Sequence, residues 1–277
     1  MNESVRGKFS LIDGVITPVK ALSELKPPKG SQIYEVLRIQ EATPLFLNDH
    51  LLRLQFSAAR TGEKITQKEI ESIKSGLNKL IKANAFVIGN IKVLVSFERH
   101  QSQVVMFFLP HQYPSEETYA RGVKLGLFHA VRSLPNAKIA NTSVRDEVNR
   151  YLQETGYFEV LLVDDEQCIT EGSRSNVFFL LDEKTLVTAP DELILPGITR
   201  KYVIDIIKQS CFVLELRKLQ VNELGGIQGA FITGTSPKVM PVQQIGSHIY
   251  PVGHSSVKEI MEVYEQCIQA DIDAHRS

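Results

Sequence analysis

Ile169-Thr170-Glu171-Gly172-Ser173-Arg174-Ser175-Asn176-Val177-Phe178-Phe179-Leu180 sets a carboxylate and a run of small polar residues between two apolar segments that read as buried strands. An ionised carboxylate left unpaired there costs several kcal/mol, so Glu171 needs a cationic partner or a ligand to hold. Immediately upstream, the apolar runs 159–163 and 168–170 flank Asp164-Asp165-Glu166-Gln167 and predict a hairpin. A helix is expected over Ser143–Thr155, with Val144, Val148, Tyr151 and Leu152 on one face and Gly156 as its stop. Before it come a strand near 123–130 and a loop, 133–141, that holds Lys138. Downstream, Leu195-Pro196-Gly197-Ile198-Thr199-Arg200 ends a strand-like segment and opens a helix carrying Val203, Ile206 and Ile207. Strands near 212–219 and 230–233 lead into Gly234-Thr235-Ser236-Pro237, and an amphipathic helix over about 257–272 closes the chain.

The N-terminal part has a different grammar. Asp13-Gly14 between short apolar segments predicts a hairpin over 9–16, and 32–39 suits a half-buried strand. Asn48 or Asp49 can cap a helix running to Gly62, with Leu52, Phe56 and Ala59 as its apolar face. Thr66-Gln67-Lys68-Glu69 is a capping box opening a second helix, with Ile70, Ile73, Leu77, Leu80 and Ile81 at helical spacing. Strands over 91–97 and 104–109, joined through Arg99-His100-Gln101, complete an α+β unit with two consecutive helices on one side of its strands. Residues 110–121 are polar, contain two prolines and lack periodicity, which divides the chain into 1–114 and 115–277.

Bulk properties narrow the class. A net charge of −1 gives no electrostatic footprint for nucleic acid or an anionic membrane. Residues 1–8 are charged and polar, so no secretory signal is expected, and the longest apolar runs are far short of the roughly 20 residues of a membrane span. Three scattered cysteines without a CxxC pair fit a reducing cytoplasm. The histidines lack metal-ligand spacing, and neither G-x-G-x-x-G nor a Walker loop is present.

Four groups could carry chemistry. Lys138 sits among small and apolar neighbours, and a partly desolvated lysine is a nucleophilic amine, although a loop lysine taken alone is most often solvated. Gly197 lets the backbone approach closely, while the Ile198 and Thr199 N–H groups and the Thr199 hydroxyl suit an anion such as phosphate; the plain alternative is a threonine cap. Thr233-Gly234-Thr235-Ser236 is a second hydroxyl-rich turn that could cup the same anion, though such turns are common. Arg53 lies mid-helix as a possible bidentate phosphate partner, or as an ordinary solvated flank.

Together these segments resemble the fold-type IV pyridoxal-phosphate enzymes, the class IV aminotransferases, which include branched-chain aminotransferases, D-amino acid aminotransferases and aminodeoxychorismate lyases. The resemblance spans nearly the whole chain in motif order: Ile33-Tyr34-Glu35-Val36, His50-Leu51-Leu52-Arg53-Leu54, Lys138-Ile139-Ala140-Asn141, Thr170-Glu171-Gly172 with Ser175-Asn176-Val177-Phe178, Leu195-Pro196-Gly197-Ile198-Thr199-Arg200, and Gly234-Thr235 with Met240-Pro241-Val242. It implies a smaller N-terminal α/β domain and a larger C-terminal barrel-like domain, with pyridoxal 5'-phosphate between them and a homodimer as the assembly. Lys138 would carry the Schiff base and act as acid and base, and Glu171 would keep the pyridine nitrogen protonated. Arg53, Ile198, Thr199 and Thr235 would hold the phosphate, Leu195 would pack on the ring, and Tyr34, Lys92 and Ser236 would face the substrate. The implied activity is transfer of an amino group between a branched-chain or D-amino acid-like donor and a 2-oxo acid. Lys92 and the absence of an arginine-x-histidine trap (Arg99 and His100 are adjacent) keep a lyase releasing pyruvate and p-aminobenzoate as the alternative. A catalytically silent small-molecule binding protein is the reading from another class.

Overall fold

The chain was described as a computed structural model covering residues 4–25, 30–99, 101–131, 136–139 and 143–276. His100 and the segment 140–142, which includes Asn141, lie outside the described residues. Two compact units emerge, one made of residues 1–112, 137–140 and 268–277 and the other of 113–136 and 141–267.

The first unit contains β1 (Arg6–Ile12), β2 (Val15–Pro18), β3 (Gln32–Gln40), β4 (Thr43–Pro44), α1 (Leu47–Arg60), α2 (Gln67–Asn84), β5 (Ile88–Glu98) and β6 (Gln101–Leu109). Its strands form one antiparallel sheet in the order β2-β1-β6-β5-β3-β4. The Asp13-Gly14 hairpin forms as expected, both residues at positive φ (48° and 83°), the conformation of a primed turn. The Thr66/Glu69 capping box is also present, and α2 buries Ile70, Ile73, Leu77, Leu80 and Ile81. Both helices pack on the sheet face that carries Ile33, Leu37, Ile91, Val93 and Val95.

Helix α1 departs from expectation at its start and in its buried face. Neither Asn48 nor Asp49 caps it; the cap residue is Phe46, in the left-handed region, whose N–H donates to Asp271 Oδ2 at 2.8 Å. A partner 225 residues away supplies the acceptor that local sequence reading sought nearby. Leu52 and Phe56 are 66% and 44% exposed, and Ala59 is also exposed. The buried stripe is instead Leu51, Leu54 and Ala58, with His50, Arg53 and Ser57 among them. Three polar residues on the inward face hid the true register from an apolar count.

The second unit contains α3 (Glu116–Arg121), β7 (Val123–His129), α4 (Ser143–Thr155), β8 (Glu159–Val163), β9 (Cys168–Gly172), β10 (Asn176–Leu180), β11 (Thr185–Thr188), α5 (Ile198–Lys208), β12 (Val213–Leu216), β13 (Leu219–Gln220), β14 (Gly229–Gly234), β15 (Lys238–Ile245), β16 (His248–Ile249) and α6 (Ser255–Arg276), whose residues from Ile268 onward count with the first unit. Residues 110–121 therefore hold a short helix rather than a purely irregular stretch; Ser115 caps it by accepting from the Thr118 N–H. The expected strand 212–219 is two short strands, β12 and β13, and the last helix runs four residues beyond 272.

The mixed sheet runs β12-β11-β10-β14-β15-β7-β8-β9-β13, with β16 beside β15, and its β11/β12, β15/β7 and β7/β8 pairs are parallel. Strands β9 and β10 are five places apart in that order, about 24 Å across a flat sheet. Yet only Ser173, Arg174 and Ser175 connect them, a link reaching at most about 14 Å. The sheet must curl until the two strands meet, and a hydrogen bond from the Gly172 N–H to Ser175 O, 2.8 Å, fastens the junction. The opening stretch of sequence is thus the seam of a half-barrel. Its interior is filled by Val177, Phe179, Ile232, Met240, Leu125 and Leu161. No helix among the described residues is long and apolar enough to cross a membrane.

Candidate active site

In the first unit, strand alternation sends consecutive β3 side chains to opposite faces. Glu35 points to the helical side, where it is 1% exposed. Arg53 Nε and Nη2 donate to its two carboxylate oxygens, both at 2.8 Å, and His50 Nδ1 donates to Oε2 at 2.8 Å. Spacing of three residues on α1 puts both donors over the same strand position. Burial raises the Glu35 carboxyl, but the Arg53 charge and the Arg53 and His50 hydrogen bonds outweigh it and hold the group well below the usual carboxylate range. Burial also lowers His50 despite its bond to Glu35, so the imidazole is a neutral donor. Arg53 is accordingly engaged as a fork on Glu35, a partner that helix position alone did not disclose.

Tyr34, on the other face of β3, gathers two ammonium groups. Lys92 Nζ lies 4.7 Å from the ring centroid and Lys138 Nζ 5.2 Å. Lys92 is only 5% exposed. The root of Lys138 is fixed at the β3 edge: its carbonyl accepts from the Tyr34 N–H at 3.0 Å, its N–H donates to Ser57 Oγ at 3.2 Å, and Ile139 bridges Ile33. Three of the expected residues, Tyr34, Lys92 and Lys138, therefore converge, with Arg53 behind them on Glu35.

In the second unit Glu171 is 3% exposed. Its Oε2 accepts from the Leu195 N–H at 3.1 Å and from Asn176 Nδ2 at 3.4 Å, while Asn176 Nδ2 also donates to Leu195 O at 2.9 Å. These donors are neutral, and the Arg200 guanidinium is coupled to the carboxylate through its charge. Burial pushes Arg200 below the usual guanidinium range, opposed by Asp191 and Glu171; its Nη1 donates to Asp191 and its Nη2 to Ala189 O at 2.7 Å.

Helix α5 begins beside this network. Gly197 is its cap residue, no side chain caps it, and a Cβ at Gly197 would collide with Asn176 Oδ1. The first intrahelical bond runs from the Lys201 N–H to Gly197 O at 2.9 Å, so the Ile198, Thr199 and Arg200 N–H groups precede the ladder, as at anion-binding helix starts. The Thr199 hydroxyl is not a cap; it shares a 3.2 Å hydrogen bond with the Tyr264 hydroxyl, both residues buried. Thr233 is the register partner of Asn176 and so lies on the same sheet face. Its Oγ1 is buried without a hydrogen-bond partner among the described residues, as expected where a ligand oxygen belongs. Thr235 and Ser236 follow in the half-buried turn after β14.

Glu35, His50, Asn176 and Arg200 stand within the quoted motifs but were given no role of their own from sequence, and Thr233 was named only as part of the hydroxyl-rich turn. Only Glu35 carried a local signal, a charge at the inward position between Ile33 and Leu37. An acidic group elsewhere, Asp164 and Glu166 near Cys168, is filled by the Lys218 ammonium at 2.7 and 2.5 Å.

Each unit by itself offers groups that suit part of a phosphorylated, aldehyde-bearing pyridine: the first an amine, the second a buried carboxylate for a ring nitrogen and an uncapped helix start beside an orphaned hydroxyl. Comparison with known proteins identifies the family. Residues 32–245 match the family described as amino-transferase class IV. A D-alanine aminotransferase of Bacillus licheniformis is 31% identical over 228 residues, 78% of this chain and 79% of that protein. A branched-chain amino acid aminotransferase of Escherichia coli superimposes with a TM-score of 0.82 at 20% identity, over 95% of each chain. A candidate 4-amino-4-deoxychorismate lyase of Legionella pneumophila gives 0.78 at 21% identity, over 86% of this chain and 91% of the other.

Proposed function

The chain belongs to the amino-transferase class IV family, and on that premise we propose that it moves an amino group between an amino acid and a 2-oxo acid with pyridoxal 5'-phosphate held by Lys138, Glu171 and the α5 start. When bound, the cofactor supplies an aldehyde for the amine and a ring that takes up negative charge from the substrate carbon. Lys138 supplies the amine that holds the cofactor and then carries the proton to and from the substrate α-carbon. Its anchored backbone keeps that amine within reach of Tyr34. Glu171, oriented by Leu195 and Asn176, keeps the ring nitrogen protonated. The Ile198 and Thr199 N–H groups, with Arg53, Thr233 and Thr235, receive the phosphate. Leu195 packs on the ring, while Tyr34, Lys92 and Ser236 face the substrate.

The observation that carries this reading is the buried Glu171 carboxylate, fixed in direction beside a helix start that no side chain caps. Addition of pyridoxal 5'-phosphate to the protein is expected to give visible absorbance that amino donors bleach. A Lys138→Ala protein that keeps both the absorbance and the turnover overturns the assignment. Donor preference, branched-chain or D-amino acid-like, follows from a panel read by that bleaching.

Lys92, buried against Tyr34, favours a second reading, aminodeoxychorismate lyase. Release of pyruvate and p-aminobenzoate without a 2-oxo acid acceptor decides for it. The assembly proposed is a homodimer, checked by sedimentation equilibrium, and three free cysteines accord with a reducing cytoplasm.

A further inference from the structure

Ser173, Arg174 and Ser175 form the link between β9 and β10, and neither the family motif nor the chemistry above gives them a task. Their surroundings do. Glu159, the first residue of β8, is a buried carboxylate, 5% exposed, that faces this link. Its Oε1 accepts from the Val160 N–H at 2.8 Å and from Ser173 Oγ at 2.6 Å. Its Oε2 accepts from the Arg174 N–H at 3.1 Å and from Ser175 Oγ at 3.3 Å. Every member of the link therefore donates to one carboxylate.

The ends of that link are the two residues that define the carboxylate site. Glu171 lies one residue before Gly172 on β9, Asn176 opens β10 directly after Ser175, and the two side chains are hydrogen-bonded to each other. A shift of the link by a fraction of an ångström changes the separation of Glu171 and Asn176, and through Asn176 the placement of Gly197 at the α5 start. Four hydrogen bonds to one buried anion are far stiffer than the three-residue turn alone, because charge-assisted bonds are about twice as strong as neutral ones.

We propose that Glu159 is a positioning residue of the cofactor site: it clamps Ser173, Arg174 and Ser175 and so fixes the direction in which Glu171 presents its carboxylate. The proposal rests on the reading of Glu171 as the partner of the cofactor ring nitrogen. Glu159 touches neither substrate nor cofactor in this scheme and transfers no proton.

The side-chain chemistry dictates the variant. Glu159→Gln keeps the shape but replaces one acceptor oxygen with a donor. The serine hydroxyls can reverse their bonds, whereas the Val160 and Arg174 N–H groups cannot, so one backbone bond at the clamp is lost. The wild-type protein is first titrated with pyridoxal 5'-phosphate, and absence of visible absorbance at that step counts against the Glu171 reading itself. Given absorbance, Glu159→Gln is expected to weaken cofactor retention about tenfold, the size of loss seen when an outer partner of a binding group is removed. It is also expected to move the pH midpoint of the bound cofactor's absorbance, a readout that a merely structural loss of melting temperature leaves unchanged. The Ser173→Ala/Ser175→Ala double variant removes two of the four bonds without altering the charge, so it tests the same clamp should Glu159→Gln fail to fold. It is expected to shift the same midpoint in the same direction. Retention and midpoint equal to wild type in a folded Glu159→Gln protein, or in the double variant, overturn the proposal while leaving the Glu171 assignment intact.

Discussion

Glu35 illustrates how one side chain organises a buried polar cluster. Its fork on Arg53 and its bond to a neutral His50 satisfy a carboxylate that would otherwise be expelled from the helix–sheet interface. Glu35→Gln leaves the Arg53 charge buried without its partner, and a loss of about 3 kcal/mol in urea unfolding is expected. The pH dependence has two limbs. His50 titrates below its ordinary range when folded, so the unfolded chain binds a proton that the folded chain refuses, and stability declines as pH falls through the ordinary histidine range. The Glu35 carboxyl is also lowered, so its contribution is complete above the ordinary carboxylate range and is lost progressively as pH falls from that range down through its depressed folded value. Urea midpoints measured at pH 7.5, 6 and 5 should fall over the first limb, and His50→Gln should flatten it.

Helix α5 carries function by where it starts. Gly197 is needed there because Asn176 Oδ1 occupies the space of a Cβ, and Asn176 in turn holds Glu171 and Leu195. Gly197→Ala should therefore displace the helix start and the carboxylate together. About a tenfold weaker retention of pyridoxal 5'-phosphate, measured by dialysis and absorbance, is the expected result; unchanged retention would show that the close approach is dispensable. Helix α1 teaches the complementary lesson. Its apolar residues Leu52 and Phe56 face outward while Arg53 and His50 face inward, an inversion explained by Glu35 rather than by the helix itself.

Across the molecule, the chain's last ten residues belong with its first hundred. Ile268 and Ile272 are buried, and Asp271 supplies the acceptor at the start of α1. A chain ending at Cys267 should lose those contacts and melt roughly 10 °C lower, an amount corresponding to a few kcal/mol in a protein of this size. The same truncation leaves the β9–β10 seam unaltered in sequence. An unchanged melting temperature would mean that the C-terminal segment contributes little to the first unit.

Much of this was legible in the sequence because its causes are local. The Asp13-Gly14 hairpin, the Thr66/Glu69 capping box and the periodicity of α2 and α4 each depend on residues within a few positions of one another. Glu171 could be recognised as a charge out of place, since the apolar segments beside it are contiguous with it. What tertiary structure alone decided are partners that no local pattern names: Asp271 for the start of α1, Arg53 and His50 for Glu35, the Leu195 N–H for Glu171, with Asn176 turned toward it across the three-residue seam, and Glu159 for the Ser173–Ser175 link. Those pairings follow from helix packing in the first unit and from strand order and curl in the second sheet, which bring together residues that no short-range pattern connects. Glu171 was visible as a requirement; the closed seam determined how that requirement is met.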